Sequence, residues 1–169
     1  MQTREAIRTR RSIRSFESEP LTADQLQEIL TAAMYAPSAG DQQPWQFLVI
    51  DDHTLLQRIP TVHPYASMAP QAAAGILVCG DLQLERYPGF WVQDCAAAIQ
   101  NMLLAAHDLG LGSLWTGIHP VVERVAGFKQ LFSLPDEVIP MALVLLGKST
   151  QTRPMPERYR ADRVHRNQW

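Results

Sequence analysis

A chain of 169 residues, 46% of them hydrophobic and with a formal net charge of −2, is long enough to bury a real core as a single domain over 1–169. Its apolar stretches are broken by charge or glutamine well short of membrane-spanning length. The basic start lacks a following apolar run, so the expectation is a cytoplasmic protein with no signal peptide and no membrane helix. Cys79 and Cys95 each lie in an apolar run and read as buried free thiols, not a disulfide scaffold.

Thr3 to about Arg11 is expected to form a short helix with Ile7 facing inward. It ends in Arg10-Arg11-Ser12-Ile13-Arg14, three guanidiniums and a hydroxyl within five residues. That composition suits bidentate phosphate binding, and equally a solvated helix end. Thr22-Ala23-Asp24-Gln25 reads as a capping box. The helix it opens keeps Leu26, Ile29, Leu30, Ala33 and Met34 on one face until Pro37 stops it. Pro37-Ser38-Ala39-Gly40-Asp41-Gln42-Gln43-Pro44-Trp45 follows, too polar and turn-prone for core, yet anchored by Trp45 and the apolar run to Ile50. Such a loop can be a plain helix-to-strand connection. It also exposes backbone N–H groups and small side chains that let a flat, polar-edged ligand approach closely.

The strand at 46–50 is followed by a short helix near 54–59 and a second strand at 75–80. Residues 91–109 form the longest helix, apolar on nearly every face, which places it in the core or at a subunit interface. Gly110 caps it. A brief strand at 112–116, a helix near 121–132 and a strand at 141–146, preceded by Pro140, complete an α+β pattern. Its irregular connections suit a small mixed sheet surrounded by helices. The last twenty-two residues hold Pro154, Pro156 and six cations among few apolar groups, so they cannot fold on themselves. They are either a disordered tail or an arm tied down on a second subunit.

Cations crowd both ends: Arg4, Arg8, Arg10, Arg11 and Arg14 at the start, and Lys148, Arg153, Arg158, Arg160, Arg163 and Arg166 at the finish. If the ends meet, they make an anion site of phosphate size. The chain as a whole is acidic and carries no basic-aromatic stripe, which argues against a nucleic-acid partner. Leu109-Gly110-Leu111-Gly112 follows a helix and leads into a strand, the reverse of a dinucleotide-binding turn. The five histidines show no metal spacing, and no Gly-x-Ser-x-Gly elbow occurs. With no convincing nucleophile, catalytic acid–base pair or metal cluster, a cofactor is expected to carry the chemistry if the chain is an enzyme.

Together these segments resemble the FMN-dependent nitroreductase family, closest to its short members. The resemblance rests on Arg10 to Arg14, Pro37 to Trp45, Asp94 to Ala106, Gly110 to Gly117, Pro140 to Gly147 and the ending Arg158-Tyr159, Val164-His165 and Trp169, all in order. It implies an intertwined α+β homodimer with FMN at the interface and residues 148–169 wrapping the partner. Arg10, Arg11 and Ser12 would then hold the phosphate and ribityl chain, with Arg14 near the pyrimidine edge. Pro37, Ser38, Ala39 and Asp41 would come from the other subunit and cover the ring. Trp115, Thr116 and Gly117 would border flavin N5, with a backbone N–H donated to it. Arg158 and Lys148 would complete the phosphate site. The family usually has Asn where this chain has Asp41. The implied activity is ping-pong transfer of hydride from NAD(P)H to a small electrophilic acceptor such as a nitroaromatic or a quinone. A flavin-binding or sensing protein without turnover is the alternative from another class. Reductive dehalogenation or flavin degradation is the alternative within the fold.

Overall fold

The computed structural model describes residues 1–17 and 19–169 and builds a four-stranded sheet covered by helices on both faces. Strands β1 (Trp45–Ile50), β2 (Ala74–Asp81), β3 (Gly112–Gly117) and β4 (Val138–Gly147) lie in the order β1-β2-β4-β3. Every neighbouring pair is antiparallel. The parallel component of the expected mixed sheet is one bridge, between Ser12 and Ser113 on the outer edge of β3.

The helices are α1 (Thr3–Thr9), α2 (Ala23–Met34), α3 (His53–Arg58), α4 (Trp91–Asp108) and α5 (Val122–Phe132). Strands β2 and β4 are nearly unbroken apolar runs because both of their faces are buried. Ile76, Val78, Ala142, Val144 and Leu146 pack with α2 and α4. Leu77, Cys79, Leu143 and Leu145 face Leu56 of α3 and Phe128 of α5. Both cysteines are free and buried, and burial pushes each thiol up to about 12, so they stay protonated and unreactive.

Local chemistry sets the helix ends. The Thr22–Gln25 capping box is closed in both directions. At the far end of α4, Gly110 takes φ 74°. Its N–H donates to His107 O and that of Leu111 to Ala106 O, a Schellman closure that a left-handed glycine permits.

Two expectations are corrected. Helix α1 stops at Thr9, and it is Ala6 that is buried, whereas Ile7 is 58% exposed; the helix meets α4 through its small-residue face and leaves Ile7 beside the C-terminal arm. Strand β4 runs back through Pro140 to Val138 because Cys79 pairs with Pro140 and Val78 with Ala142. Met141 is therefore an extra, bulged residue, the setting in which a sheet tolerates proline. Its carbonyl accepts from both Ile118 and His119. Among the described residues, no helix is long and apolar enough to cross a membrane.

Candidate functional site

The cations expected from the sequence gather where α1 meets the end of α4. A cavity of about 380 Å³ is lined by Arg10, Arg11, His107, Gly110, Ser113, Gln151 and Arg153, among others. Arg10 is half-buried. Burial, then the nearby charges of Arg158 and Arg11, lowers its guanidinium from the ordinary arginine value, so three like charges stand close enough to repel. Among the described residues, none of the three is in an ion pair.

The expected cations are held differently. Arg11 donates to the carbonyls of Arg8, Arg10 and Pro154, and so fastens the arm to the end of α1. Lys148 is paired instead with Glu19 at 2.5 Å. Ser12, Arg14, Lys148 and Arg158 do not line the cavity, whereas Arg153 and Gln151 do. Gln151 further accepts the Arg14 backbone N–H. At the cavity wall His107 donates from Nε2 to Thr9 Oγ1, because the Thr9 hydroxyl already donates to Glu5 O.

The second group of expected residues lies along the open edge of β3. Residues 12 and 13 pair in parallel with that edge, Ile13 N–H donating to Ser113 O. Ladder alternation then turns the N–H and C=O of Ser113, Trp115 and Gly117 outward and those of Thr116 toward β4. Ile118, whose N–H reaches Met141 O, keeps the same phase. The Trp115 side chain packs on the α4 side of the sheet, and Thr116 Oγ1 donates to Leu143 O. Gly117 thus presents the outward N–H at the end of the strand. A Cβ built there would meet nothing, so the space beside it is open. From Ser113 to Gly117 the edge covers about 13 Å, a span suited to a ligand with an anion at one end and a flat ring at the other.

The Pro37–Trp45 loop is held from within. Asp94, 4% exposed in the first turn of α4, accepts from Ala39 N–H at 3.0 Å and from Gln42 Nε2 at 2.6 Å. Gln42 Oε1 accepts in turn from the Arg86 and Tyr87 backbones, and Arg86 Nη2 donates to the Gly40 and Asp41 carbonyls. Gly40 has φ 53°, and any side chain there would strike the Tyr87 ring. Asp41 is exposed and also left-handed, at φ 55°, with its carboxylate accepting from Gln43 Nε2. Pro37, Ser38 and Ala39 border a separate shallow hollow with Phe90, Gln93, Asp94 and Ala97. Asp94 and His107 are thirteen residues apart on α4, about 20 Å at helical rise. The loop and the Arg10 cavity therefore sit toward opposite ends of one helix.

Sequence reasoning gave no role to Asp94, Gln42, Arg86, His63 or Arg124, and named Arg153 only among the C-terminal cations. Gln42 and Asp94 both stand in segments that carried the resemblance, and a carboxylate in the first turn of an otherwise apolar helix was the signal available. His63 lies between one-turn helices at Ile59–Thr61 and Pro64–Ala66, a stretch with no regular periodicity to mark it.

Comparison with known proteins converges on one family. The family model described as the Nitroreductase family matches residues 7–77 and 61–148. A Methanothermobacter thermautotrophicus protein, provisionally named NADH dehydrogenase/NAD(P)H nitroreductase, is 46% identical over the whole chain, which covers 88% of it. A crystal structure from Parabacteroides distasonis with the same provisional name superposes at a TM-score of 0.95 and 32% identity, covering 100% of this chain and 99% of that one. A Desulfovibrio desulfuricans structure, provisionally a nitroreductase and solved in complex with FMN, gives 0.84 and 30% identity over 98% and 96% of the two chains.

Proposed function

The chain belongs to the nitroreductase family, and from that premise we propose that it is an FMN-dependent NAD(P)H oxidoreductase reducing nitroaromatics, quinones or similar small electrophiles. The observation that carries this reading is the open edge of β3, with arginines unpaired among the described residues at one end and the exposed Gly117 at the other. A phosphate dianion suits Arg10 and Arg158, since it would relieve their mutual repulsion. Arg153, on the cavity wall, joins them in this reading. Ser12, paired with Ser113, stands where the edge begins, and Arg14 follows it in the chain with its N–H held by Gln151. Lys148, held by Glu19, would have to exchange partners to take part.

Bound FMN supplies hydride chemistry at N5, taking a hydride from NAD(P)H and passing it to the acceptor. The protein's part is to bind and orient. The Gly117 N–H is aimed at the reacting atom, and Arg14 sets positive charge by the pyrimidine edge, where it favours the reduced cofactor. Donor and acceptor would share one open face in turn, which predicts ping-pong kinetics.

Strand β1, into which the Pro37–Trp45 loop feeds, is the opposite sheet edge from β3, three strand spacings or about 14 Å away. In our reading the loop therefore serves the site of a second copy, and residues 148–169 wrap that copy in a homodimer. A yellow preparation that releases FMN on heating, and that oxidises NADH or NADPH with menadione or a nitrofuran as acceptor, is the expected result. A colourless protein that takes up no FMN would overturn the reading.

A further inference from the structure

We infer that His63, together with Arg124, is a positioning residue that pins the Gly117 carbonyl and, through the glycine backbone, keeps the Gly117 N–H aimed at the flavin; the inference rests on the functional reading above. Gly117 needs such a device. It closes an edge strand, so no neighbouring strand holds its outward groups. It also has no side chain with which to brace itself. In place of a strand, its carbonyl accepts two side-chain donors, His63 Nε2 and Arg124 Nη1, both at 2.9 Å. Two donors on one carbonyl occupy both lone-pair directions. That carbonyl belongs to the Gly117–Ile118 peptide, one unit beyond the Gly117 N–H. Pinning it limits ψ at a residue with no side chain to restrict that angle, and keeps the extended setting in which its N–H and C=O point the same way.

The mount of His63 is stiff. Its N–H donates to Ile59 O and its carbonyl accepts from Ala66, fixing it between the two one-turn helices. The ring is 1% exposed and sits edge-on to Tyr65 and Phe128, with centroids 6.4 and 6.2 Å away. A carbonyl can only accept, so Nε2 carries the proton and Nδ1 does not. Nδ1 is buried with no partner among the described residues. Phenylalanine would fill such a slot without stranding a nitrogen. The bond to Gly117 is what accounts for an imidazole here. Arg124 is steadied by the Tyr65 ring, 5.2 Å from its guanidinium carbon.

The test compares His63→Phe, His63→Gln and Arg124→Met as FMN-loaded proteins, reading the FMN midpoint potential and amide hydrogen exchange across residues 115–118. The Gly117 N–H can donate to N5 only while N5 is unprotonated, so loosening it weakens the oxidised form. His63→Phe is expected to weaken the oxidised form about tenfold relative to the reduced, about 30 mV upward for a two-electron couple, and to speed exchange at Gly117. Glutamine places an amide N–H where Nε2 stood, so His63→Gln should restore both readouts. Arg124→Met, on an accessible side chain, should shift both the same way by less, and it decides the matter if His63→Phe does not fold. Wild-type potential and exchange in His63→Phe, or in Arg124→Met where the former fails to fold, overturns the inference, as does a His63→Gln variant that behaves like His63→Phe. Wild-type protein that binds no FMN overturns the functional reading as well, whereas FMN binding with indifferent variants overturns this inference alone.

Discussion

The Pro37–Trp45 loop and the C-terminal arm are both irregular, polar and rich in proline, yet the structure treats them in opposite ways. The loop's backbone is bound into its own chain: Asp94 holds Ala39 and Gln42, Gln42 holds residues 86 and 87, and Arg86 returns to Gly40 and Asp41. The arm from Thr152 onward is exposed throughout, with Tyr159 at 72% and Trp169 fully open. Its tie to the body runs through Arg11 and Pro154. One region is finished before any partner arrives and the other is not. In the proposed homodimer the loop would be a preformed surface and the arm the part ordered by assembly, which would place the cost of ordering on dimerisation.

The comparison is broken most severely by removing the arm. A chain ending after Thr152 loses Arg158 and all the exposed aromatics beyond it. It should keep its thermal stability as a monomer, fail to dimerise by size-exclusion chromatography, and bind FMN at least about 100-fold more weakly, the scale of losing a charged hydrogen bond together with the partner surface. A truncated chain that stays dimeric and holds FMN as tightly as the full chain would make the arm a passive tail.

The loop is broken from its anchor. Asp94→Ala leaves the Ala39 N–H and the Gln42 amide without their buried acceptor, a destabilisation of about 2–4 kcal/mol by urea unfolding, since each orphaned donor costs roughly 1–3. Asp94→Asn, which keeps one acceptor oxygen, should lose about half of that. Equal stability of wild type and Asp94→Ala would mean that the loop is not preformed in the way its hydrogen bonds indicate.

What the sequence disclosed and what it withheld follow the same division between local and distant bonds. The Thr22 capping box, the Gly110 closure and the apolar runs of β2 and β4 were legible because each is written within a few consecutive residues. Sheet order was not, since β2 pairs with β4 between 57 and 72 residues away. Pro140 was placed ahead of its strand because the bulge that accommodates it lies opposite Cys79. Arg10, Ser12 and Gly117 were named from family likeness, and the structure lines them along one edge. Asp94 and His63 were given no role because their bonds reach 55 and 54 residues along the chain, and an isolated buried carboxylate or imidazole announces nothing in a linear reading.

Acid should act on the folded body rather than on the arm, because two histidines of the body are held below their usual range. Burial, with the charges of Arg10 and Arg11, lowers His107 below the usual 6.5, and burial lowers His63 as well. Both bind protons more readily unfolded than folded. Their contribution to stability is therefore present above about 6.5 and is lost as the pH falls through the lowered folded values. Thermal unfolding should hold level from pH 8 to 7 and decline below 6.5, and His107→Gln should flatten part of that decline. A melting temperature that rises on acidification through this range would contradict the assignment.

The smallest and most specific effect concerns Asp41. Its carboxylate accepts from Gln43, while Arg86 donates to its backbone carbonyl, so no arginine among the described residues neutralises the charge. The residue also sits at φ 55°, a conformation that asparagine adopts at least as readily. Asp41→Asn keeps an oxygen for Gln43, removes a negative charge from a loop proposed to cover an anionic cofactor, and adds a donor pair. It should bind FMN more tightly by up to about 1–2 kcal/mol, roughly 5- to 30-fold by fluorescence titration. Weaker binding by the variant would mean that the carboxylate itself is a contact, with a cation of the partner subunit supplying the neutralisation that this chain does not. In that event the loop, too, would be completed only by assembly.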